Sequence, residues 1–480
     1  MNTGKKWLIE DREMLLFIIA YTLIALRFIP ASLWWDSAVY IAMGKYIWSA
    51  GAVGLWEPAR PILLPFLLGA VWKLGMLSFF VKLIPLVMSS LALFMVYRIL
   101  RMRSSKAGAL FFTLLFSVQL PFFLYAGKIL SDIPAMAFFL VSIYFLLRKS
   151  PALSGFFYSL AVLTKFTYVI LGPVILAALL LDEKRKGLLL RFAYGFLPLS
   201  LVFLFANSIL YSNPLLPFLE ANSLINTVWL NEASVSTAWF YLFHLAISVP
   251  LVIVFFLIFP FTEIQSGYRR NRKELIVLLG CVVIPLIYHS LFLDYRDERY
   301  MVIFLPYLFI SAGYAFSILS KKSRRLWKIL HVFLAIQIAY SLFVVSSAGV
   351  DNNKGENLYD EVYTFFDAPL SGEIWMSNPY IAAEKDIRVD ELVYYPVWGA
   401  QRADALRAKD RSTVAAILIN TCDIPCLRRD KECSRKTQDF LAELEETHRV
   451  ISRKESGACT MMLYGKHETQ SALLPQASSP

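Results

Sequence analysis

Apolar positions in this chain gather into long runs, and the polar positions between them gather into short loops. Runs long enough, or nearly so, to cross a bilayer fall near 14–32, 80–97, 107–127, 132–147, 152–164, 166–181, 188–210, 238–260, 275–293, 301–319 and 328–348. Basic residues concentrate in alternate loops: Lys5/Lys6/Arg12, Arg98/Arg101/Arg103/Lys106, Arg148/Lys149, Lys184/Arg185/Lys186/Arg191, Arg269/Arg270/Arg272/Lys273 and Lys321/Lys322/Arg324/Arg325/Lys328. Such clusters mark loops retained in the cytoplasm. Placing all of them there predicts about eleven crossings, a cytoplasmic N-terminus and an extracytoplasmic C-terminal segment.

Two stretches depart from simple crossings. Residues 61–77 are apolar but short, and both flanks fall outside, so an embedded or interfacial helix is expected within a first outer loop of 33–79. Residues 151–181 carry inside-type charges at both ends. As one helix they would run about 46 Å at 1.5 Å per residue, against a hydrocarbon core of about 30 Å. Two short helices turning at Thr164-Lys165 fit better.

From about residue 350 the pattern changes. Glu373–Ser377, Val414–Asn420 and Cys459–Gly465 read as strands and Thr437–Val450 as an amphipathic helix. The expected organisation is a membrane domain over 1–349, a small extracytoplasmic α/β domain over 350–467, and a disordered tail over 468–480. Cys422, Cys426, Cys433 and Cys459 lie in this outer domain; disulfides are expected ahead of zinc, because no CxxC pair is present.

Composition agrees with a polytopic membrane protein of multi-pass type: 480 residues, 58% hydrophobic, 17% charged, mean hydropathy +0.56. The net charge of +11 is carried by the inner loops, so the expected partner is the bilayer and not nucleic acid. The first span lacks a small-residue cleavage site after it and reads as a retained anchor.

Threading the chain this way gathers charges on the outer side: Asp36, Glu57, Arg60, Lys128, Asp132, Lys165, and the turn Asp294, Arg296, Asp297, Glu298, Arg299. Carboxylates and cations at one depth suit a reaction between a hydroxyl and an anionic lipid. A sugar on a polyprenyl phosphate departs as a phosphate with a second negative charge, which held cations stabilise. The attacking hydroxyl needs a base, and a carboxylate with a raised pKa serves at neutral pH. Asp36, among Trp34, Trp35 and Tyr40, has apolar surroundings expected to raise it. Blander readings stand beside these. Asp36 can cap a helix over 37–49, and Asp132, with Pro134 in the first turn, can cap the next span. Lys165 can snorkel, and 294–299 can be a solvated turn.

The motifs resemble those of the GT-C glycosyltransferases, especially protein O-mannosyltransferases and lipid A aminoarabinose transferases. Asp36-Ser37-Ala38-Val39-Tyr40 follows the first span, with serine where the family usually has a second acid. Arg60-Pro61-Ile62-Leu63-Leu64-Pro65 is similar to a basic-proline opening of an embedded helix, without the adjacent second proline. Asp132-Ile133-Pro134, Gly155 through Thr164-Lys165, and Arg299-Tyr300 with Pro306 match later parts, over roughly residues 10–320 in all. The resemblance implies a polyprenyl- or dolichyl-phosphate-linked hexose or pentose as donor, a hydroxyl acceptor on protein, lipid or glycan, and inversion at the anomeric carbon. It implies Asp36 as base, Asp132 as a second site acid, and Arg60, Lys165, Arg296 and Arg299 as phosphate ligands. Tyr40, Glu57 and Trp229 are acceptor-side candidates, Trp229 because the 211–237 loop is expected to overhang the site. No tight Asp-x-Asp pair is present, so no obligatory metal is expected, although a divalent ion is compatible with two acidic positions. A flippase of lipid-linked sugars is the alternative, but it would need charges along a path through the bilayer.

Overall fold

The computed structural model describes residues 11–27, 33–76, 78–182, 185–227, 238–265, 268–293, 296–320, 324–351, 364–367, 370–426, 430–456 and 459–466. Helices dominate up to residue 351: α1 (Arg12–Arg27), α2 (Trp35–Trp48), α3 (Leu63–Lys73), α4 (Ser78–Leu100), α5 (Lys106–Ser117), α6 (Leu120–Ala126), α7 (Asp132–Leu147) and α8 (Pro151–Thr164) come first. A 3-10 turn over Phe166–Leu171 leads into α9 (Gly172–Leu180), followed by α10 (Arg185–Tyr211), α11 (Leu216–Thr227), α12 (Phe240–Ser248), α13 (Pro250–Gln265) and α14 (Tyr268–Leu291). A second 3-10 turn, Glu298–Ile303, opens onto α15 (Leu305–Ser320), and α16 (Arg324–Asp351) ends the bundle.

Helix α7 is apolar all round, and it is buried along nearly its whole length. A helix without a polar face belongs in the middle of a bundle. By contrast α10 turns Leu190, Tyr194, Leu201, Phe205 and Ile209 outward, as a lipid-facing helix does. It crosses α8 so closely that a Cβ on Gly195 would lie 1.9 Å from the Ala152 carbonyl oxygen, and one on Gly155 2.2 Å from that of Phe192. Small residues at such crossings let apolar helices pack backbone to backbone.

Among the described residues three helical stretches are long and apolar enough to cross a bilayer alone, or five if each sharply bent pair is one span. The expected spans at 107–127 and 238–260 are each a sharply bent pair of helices. The first breaks at Val118-Gln119 with a 72° bend, and the second breaks at Val249 with a 106° bend. Val249 directly precedes Pro250, which disfavours helical geometry in the residue before it, and Pro121 stands in the first turn of α6, where a missing N–H is tolerated. Gln119 compensates for its break by donating Nε2 to the Leu115 carbonyl at 2.7 Å. A short helix within 61–77 and a turn at Thr164-Lys165 are where the sequence puts them: α3 spans eleven residues, and α8 ends at Thr164 with Lys165 extended.

After residue 370 the chain forms a five-stranded sheet: β1 (Glu373–Met376), helix α17 (Tyr380–Glu384), β2 (Glu391–Leu392), helix α18 (Ala400–Arg407), β3 (Val414–Asn420), helix α19 (Lys431–Thr447), β4 (Arg449–Ser456) and β5 (Cys459–Gly465). The order is β2-β1-β3-β5-β4, with β2, β1 and β3 parallel and β5 and β4 antiparallel to their neighbours. Strand β3 is buried at every position, as its unbroken apolar run requires. Helix α19 begins six residues earlier than expected, where Asp430 Oδ1 accepts from Cys433 N at 2.8 Å. It also ends before Val450, which belongs to β4, an edge strand whose charged, exposed residues carry little apolar signal. Disulfides join Cys422 to Cys459 and Cys426 to Cys433.

Helix α2 holds the sheet to the bundle. Val39, Ala42 and Met43 share a core with Ile374, Met376 and Leu418. Gly54 pairs with the 387–389 strand segment, its N donating to Ile387 O at 2.7 Å and its O accepting from Val389 N at 2.8 Å. The other side of α2 packs on α3, where Gly44 and Gly69 meet: a Cβ on Gly69 would fall 2.2 Å from the Gly44 carbonyl oxygen.

Candidate active site

The α2–α3 crossing sets the loop between them, and with it Arg60, beside the first turn of α2. Asp36 stands in that turn. Its Oδ1 is 2.9 Å from Arg60 Nη2 and its Oδ2 is 2.9 Å from Arg299 Nη1. Trp34 occupies the helix N-cap, so the carboxylate of Asp36 is spent on guanidiniums and not on capping. The expected raised acidity constant is corrected: burial alone would push the Asp36 carboxyl up, but Arg60 and Arg299 outweigh it and hold it well below the usual carboxylate range.

Each cation at this centre is oriented by a second group. Arg60 Nε contacts Glu57, a buried side chain whose other oxygen accepts from Tyr394 OH at 2.7 Å. Both oxygens of Glu57 are thus engaged, so it anchors Arg60 to the C-terminal sheet and does not face an acceptor. Tyr40 lies under the Arg60 guanidinium, 5.7 Å from ring centroid to Cζ, and donates its hydroxyl to Ser131 Oγ at 3.1 Å. Asp297 caps the 3-10 turn by accepting from Arg299 N at 2.8 Å, and its second oxygen lies 3.5 Å from Arg299 Nε.

Asp132, buried at the start of α7, pairs with Lys165 at the α8 turn. Ser131 is the N-cap residue and makes no side-chain cap there. Lys165 and Arg299 both sit over the Tyr300 ring, at 5.0 Å and 5.2 Å, and His289 stacks on Tyr300 at 4.9 Å. Tyr300 therefore joins the Asp36 and Asp132 pairs into one array. Lys128 lies alongside, its Nζ 3.4 Å from the Trp34 ring centroid; burial pushes it down to about 8 against the pull of Asp297.

The structure brings together Asp36, Arg60, Arg299, Asp132 and Lys165. It turns Arg296 toward the Ser290 carbonyl, 2.8 Å away, which anchors the end of α14. Trp229 lies outside the described residues. Its neighbour segment does reach the site wall: Tyr211 OH accepts from Trp56 Nε1 at 2.7 Å, and Glu220 accepts from Tyr395 OH. The sequence names Asp297 among the outer charges and Tyr300 beside Arg299 without giving either a role, and it carries no signal for Tyr394; the parts of all three depend on folding. Among the described residues no three His, Cys, Asp or Glu side chains converge to hold a metal ion.

Comparison with known proteins finds a family model over part of the chain and this fold in several solved structures. Residues 59–211 match the model of the dolichyl-phosphate-mannose-protein mannosyltransferase family. ArnT from Cupriavidus metallidurans, solved bound to undecaprenyl phosphate, is similar over 98% of this chain and 99% of its own at 12% identity, TM-score 0.61. The Archaeoglobus fulgidus oligosaccharyltransferase is similar over 85% of this chain and 69% of its own at 12% identity, TM-score 0.55. The arabinofuranosyltransferase AftD from Mycobacteria is similar over 95% of this chain but 41% of its own at 10% identity, TM-score 0.53. No curated protein matches in sequence.

Proposed function

We propose that the chain transfers a sugar from a polyprenyl- or dolichyl-phosphate-linked donor to a hydroxyl acceptor, with inversion. The observation that carries this reading is Asp36 clasped between Arg60 and Arg299. A guanidinium fork that fits a carboxylate fits a phosphate equally well, so a donor phosphate competes with Asp36 for both arginines. Donor arrival releases the carboxylate, and a released Asp36 regains its basicity where the acceptor must lose its proton. The acceptor oxygen then bonds to the anomeric carbon as the carbon–phosphate oxygen bond breaks. The proton passes to Asp36, and the bond pair leaves with the lipid phosphate, stabilised by Arg60, Arg299 and Lys165. Asp132 holds Lys165 in place for this. Arg296 has no part in the step. The undecaprenyl phosphate in the similar ArnT structure supports a lipid-phosphate donor.

In this reading the site end of the bundle is extracytoplasmic, the N-terminus is cytoplasmic, and residues 350–467 form an outer domain. Two disulfides in that domain fit an oxidising compartment. The test is transfer from a panel of radiolabelled polyprenyl-phosphate sugars by purified protein in lipid, with Asp36→Asn beside wild type and a broad acceptor extract supplied. Labelled product from wild type alone is the expected result. Absence of transfer from every donor by folded wild type would overturn the reading and favour the flippase alternative.

A further inference from the structure

Beside the Asp132–Lys165 pair, Thr167 Oγ1, the Tyr168 hydroxyl and both ring nitrogens of His289 are buried and find no hydrogen-bond partner among the described residues. Tyr168 and His289 are each 1% exposed. Thr167 and Tyr168 stand in the first 3-10 turn, just after Lys165, and His289 stands in the last turn of α14. All three line one cavity of about 10 Å³ with Asp132, Lys165 and Tyr300. A buried polar group without a partner destabilises the fold. Several of them around one cavity, next to the charged centre, point to a ligand that pairs them.

The size and lining of the cavity define that ligand. Its volume is about what one water-sized group needs. A threonine hydroxyl, a phenol and an imidazole can each donate or accept. A hydroxyl, which donates once and accepts twice, satisfies such a set, whereas an anion would meet the Asp132 carboxylate and a cation would meet Lys165. His289 stacks on Tyr300 at 4.9 Å with the ring planes 10° apart, which orients the imidazole without using its nitrogens. The place of the cavity says where the hydroxyl comes from. Lys165 is 15% exposed, and in the transfer reading it holds the donor phosphate. The anomeric carbon is joined to that phosphorus through a single oxygen, so the sugar ring begins just beyond the group that Lys165 binds.

We propose that this cavity is a donor-specificity pocket that takes one hydroxyl of the donor sugar; the inference rests on the transfer reading above. A water fits there before the donor arrives, and a sugar hydroxyl displaces it without loss because it reproduces the same hydrogen bonds. A sugar lacking that hydroxyl leaves Thr167, Tyr168 and His289 unpaired again. Discrimination then comes from buried polar groups left without partners and not from the width of the pocket. The unpaired groups trade stability for selectivity.

The experiment uses calorimetry on full-length protein in lipid nanodiscs. It measures binding of polyprenyl phosphate, of polyprenyl-phosphate hexoses and pentoses, and of their analogues lacking one ring hydroxyl. Wild type is compared with the double variant Thr167→Val, Tyr168→Phe, which keeps the shapes and removes two of the polar groups. For the best-bound sugar, deleting one particular hydroxyl should weaken binding to wild type about tenfold or more. The same deletion should cost the double variant little, since the partners are already gone. The double variant should bind bare polyprenyl phosphate as wild type does and melt no lower, because it leaves fewer buried groups unpaired. Equal losses in both proteins for every deleted hydroxyl would mean that the cavity holds water only, and would overturn the proposal. A lower melting temperature in the variant would overturn it too, by showing that these groups are paired within the fold. If bare polyprenyl phosphate binds wild type in an Arg299-dependent way, such results sink the pocket alone; if it does not bind, the transfer reading fails with it.

Discussion

Replacing Asp36 by Asn should do two opposite things. The substitution keeps the shape and removes the charge that both Arg60 and Arg299 now neutralise at 2.9 Å. Unit charges about 4 Å apart attract by about 4 kcal/mol at an effective dielectric of 20. These side chains remain 15–22% exposed, so desolvation and screening leave a net of about 1–1.5 kcal/mol per pair. A phosphate that must displace Asp36 from both therefore forfeits about 2–3 kcal/mol. Removing the carboxylate should return that sum as affinity for polyprenyl phosphate, tightening it by about 30- to 150-fold. Transfer should fall by about 10²–10⁴, the usual worth of a general base. Binding is read by calorimetry in nanodiscs with polyprenyl phosphate lacking the sugar, and transfer by radiolabel. Unchanged or weaker lipid-phosphate binding in Asp36→Asn would refute the competition, even if transfer were lost.

Three further outcomes follow from the same geometry. Lys165→Met leaves the Asp132 carboxylate buried without its cation and should cost about 3–5 kcal/mol, whereas Asp132→Asn with Lys165→Met should recover most of the melting temperature without recovering transfer. Gly69→Ala would drive a Cβ to 2.2 Å from the Gly44 carbonyl oxygen; the helices must part, displacing Arg60, so polyprenyl phosphate binding should weaken together with stability, and a stable variant with normal binding would refute that link. Lys128, pushed down to about 8 by burial, carries the cost of a buried charge below that pH and sheds it above. The unfolded chain holds its proton to about 10.4, so wild-type stability relative to Lys128→Met should rise between about pH 8 and 10; a flat difference in melting temperature would contradict it.

Much of the membrane part was legible because its signals are local. The α8 turn at Lys165 follows from length against bilayer thickness and charge at both ends. The lone acid after the first span, the Asp132 helix start and Arg299 also stand out in the linear chain. What the chain does not print is pairing. That Asp36 meets both Arg60 and Arg299 depends on a contact across 263 positions, and its acidity follows from that contact and not from its aromatic neighbours. The bends within the spans at 107–127 and 238–260 were missed because hydropathy averages over a break, although Pro121 and Pro250 stand beside them. Strand β4 was missed because an exposed edge strand lacks the apolar alternation on which such a reading depends.

The pairing also accounts for a feature that a phosphate site would not otherwise need. Arg60 meets Asp36 and Glu57, Arg299 meets Asp36 and Asp297, and Lys165 meets Asp132. Cations left unneutralised at the edge of a low-dielectric bundle would destabilise the fold and would hold any anionic lipid headgroup tightly. Carboxylates in the same array make the empty site self-neutralised, so that a phosphate binds only by exchange. Glu57 is buried against Tyr394, Asp297 caps the turn that carries Arg299, and Asp132 is buried in α7. Asp36, on the first turn of α2 and partly exposed, meets both arginines of the set, whereas Asp132 is buried and meets Lys165. In the proposed transfer the exchange therefore falls on Asp36, and donor binding and activation of the base would be one event.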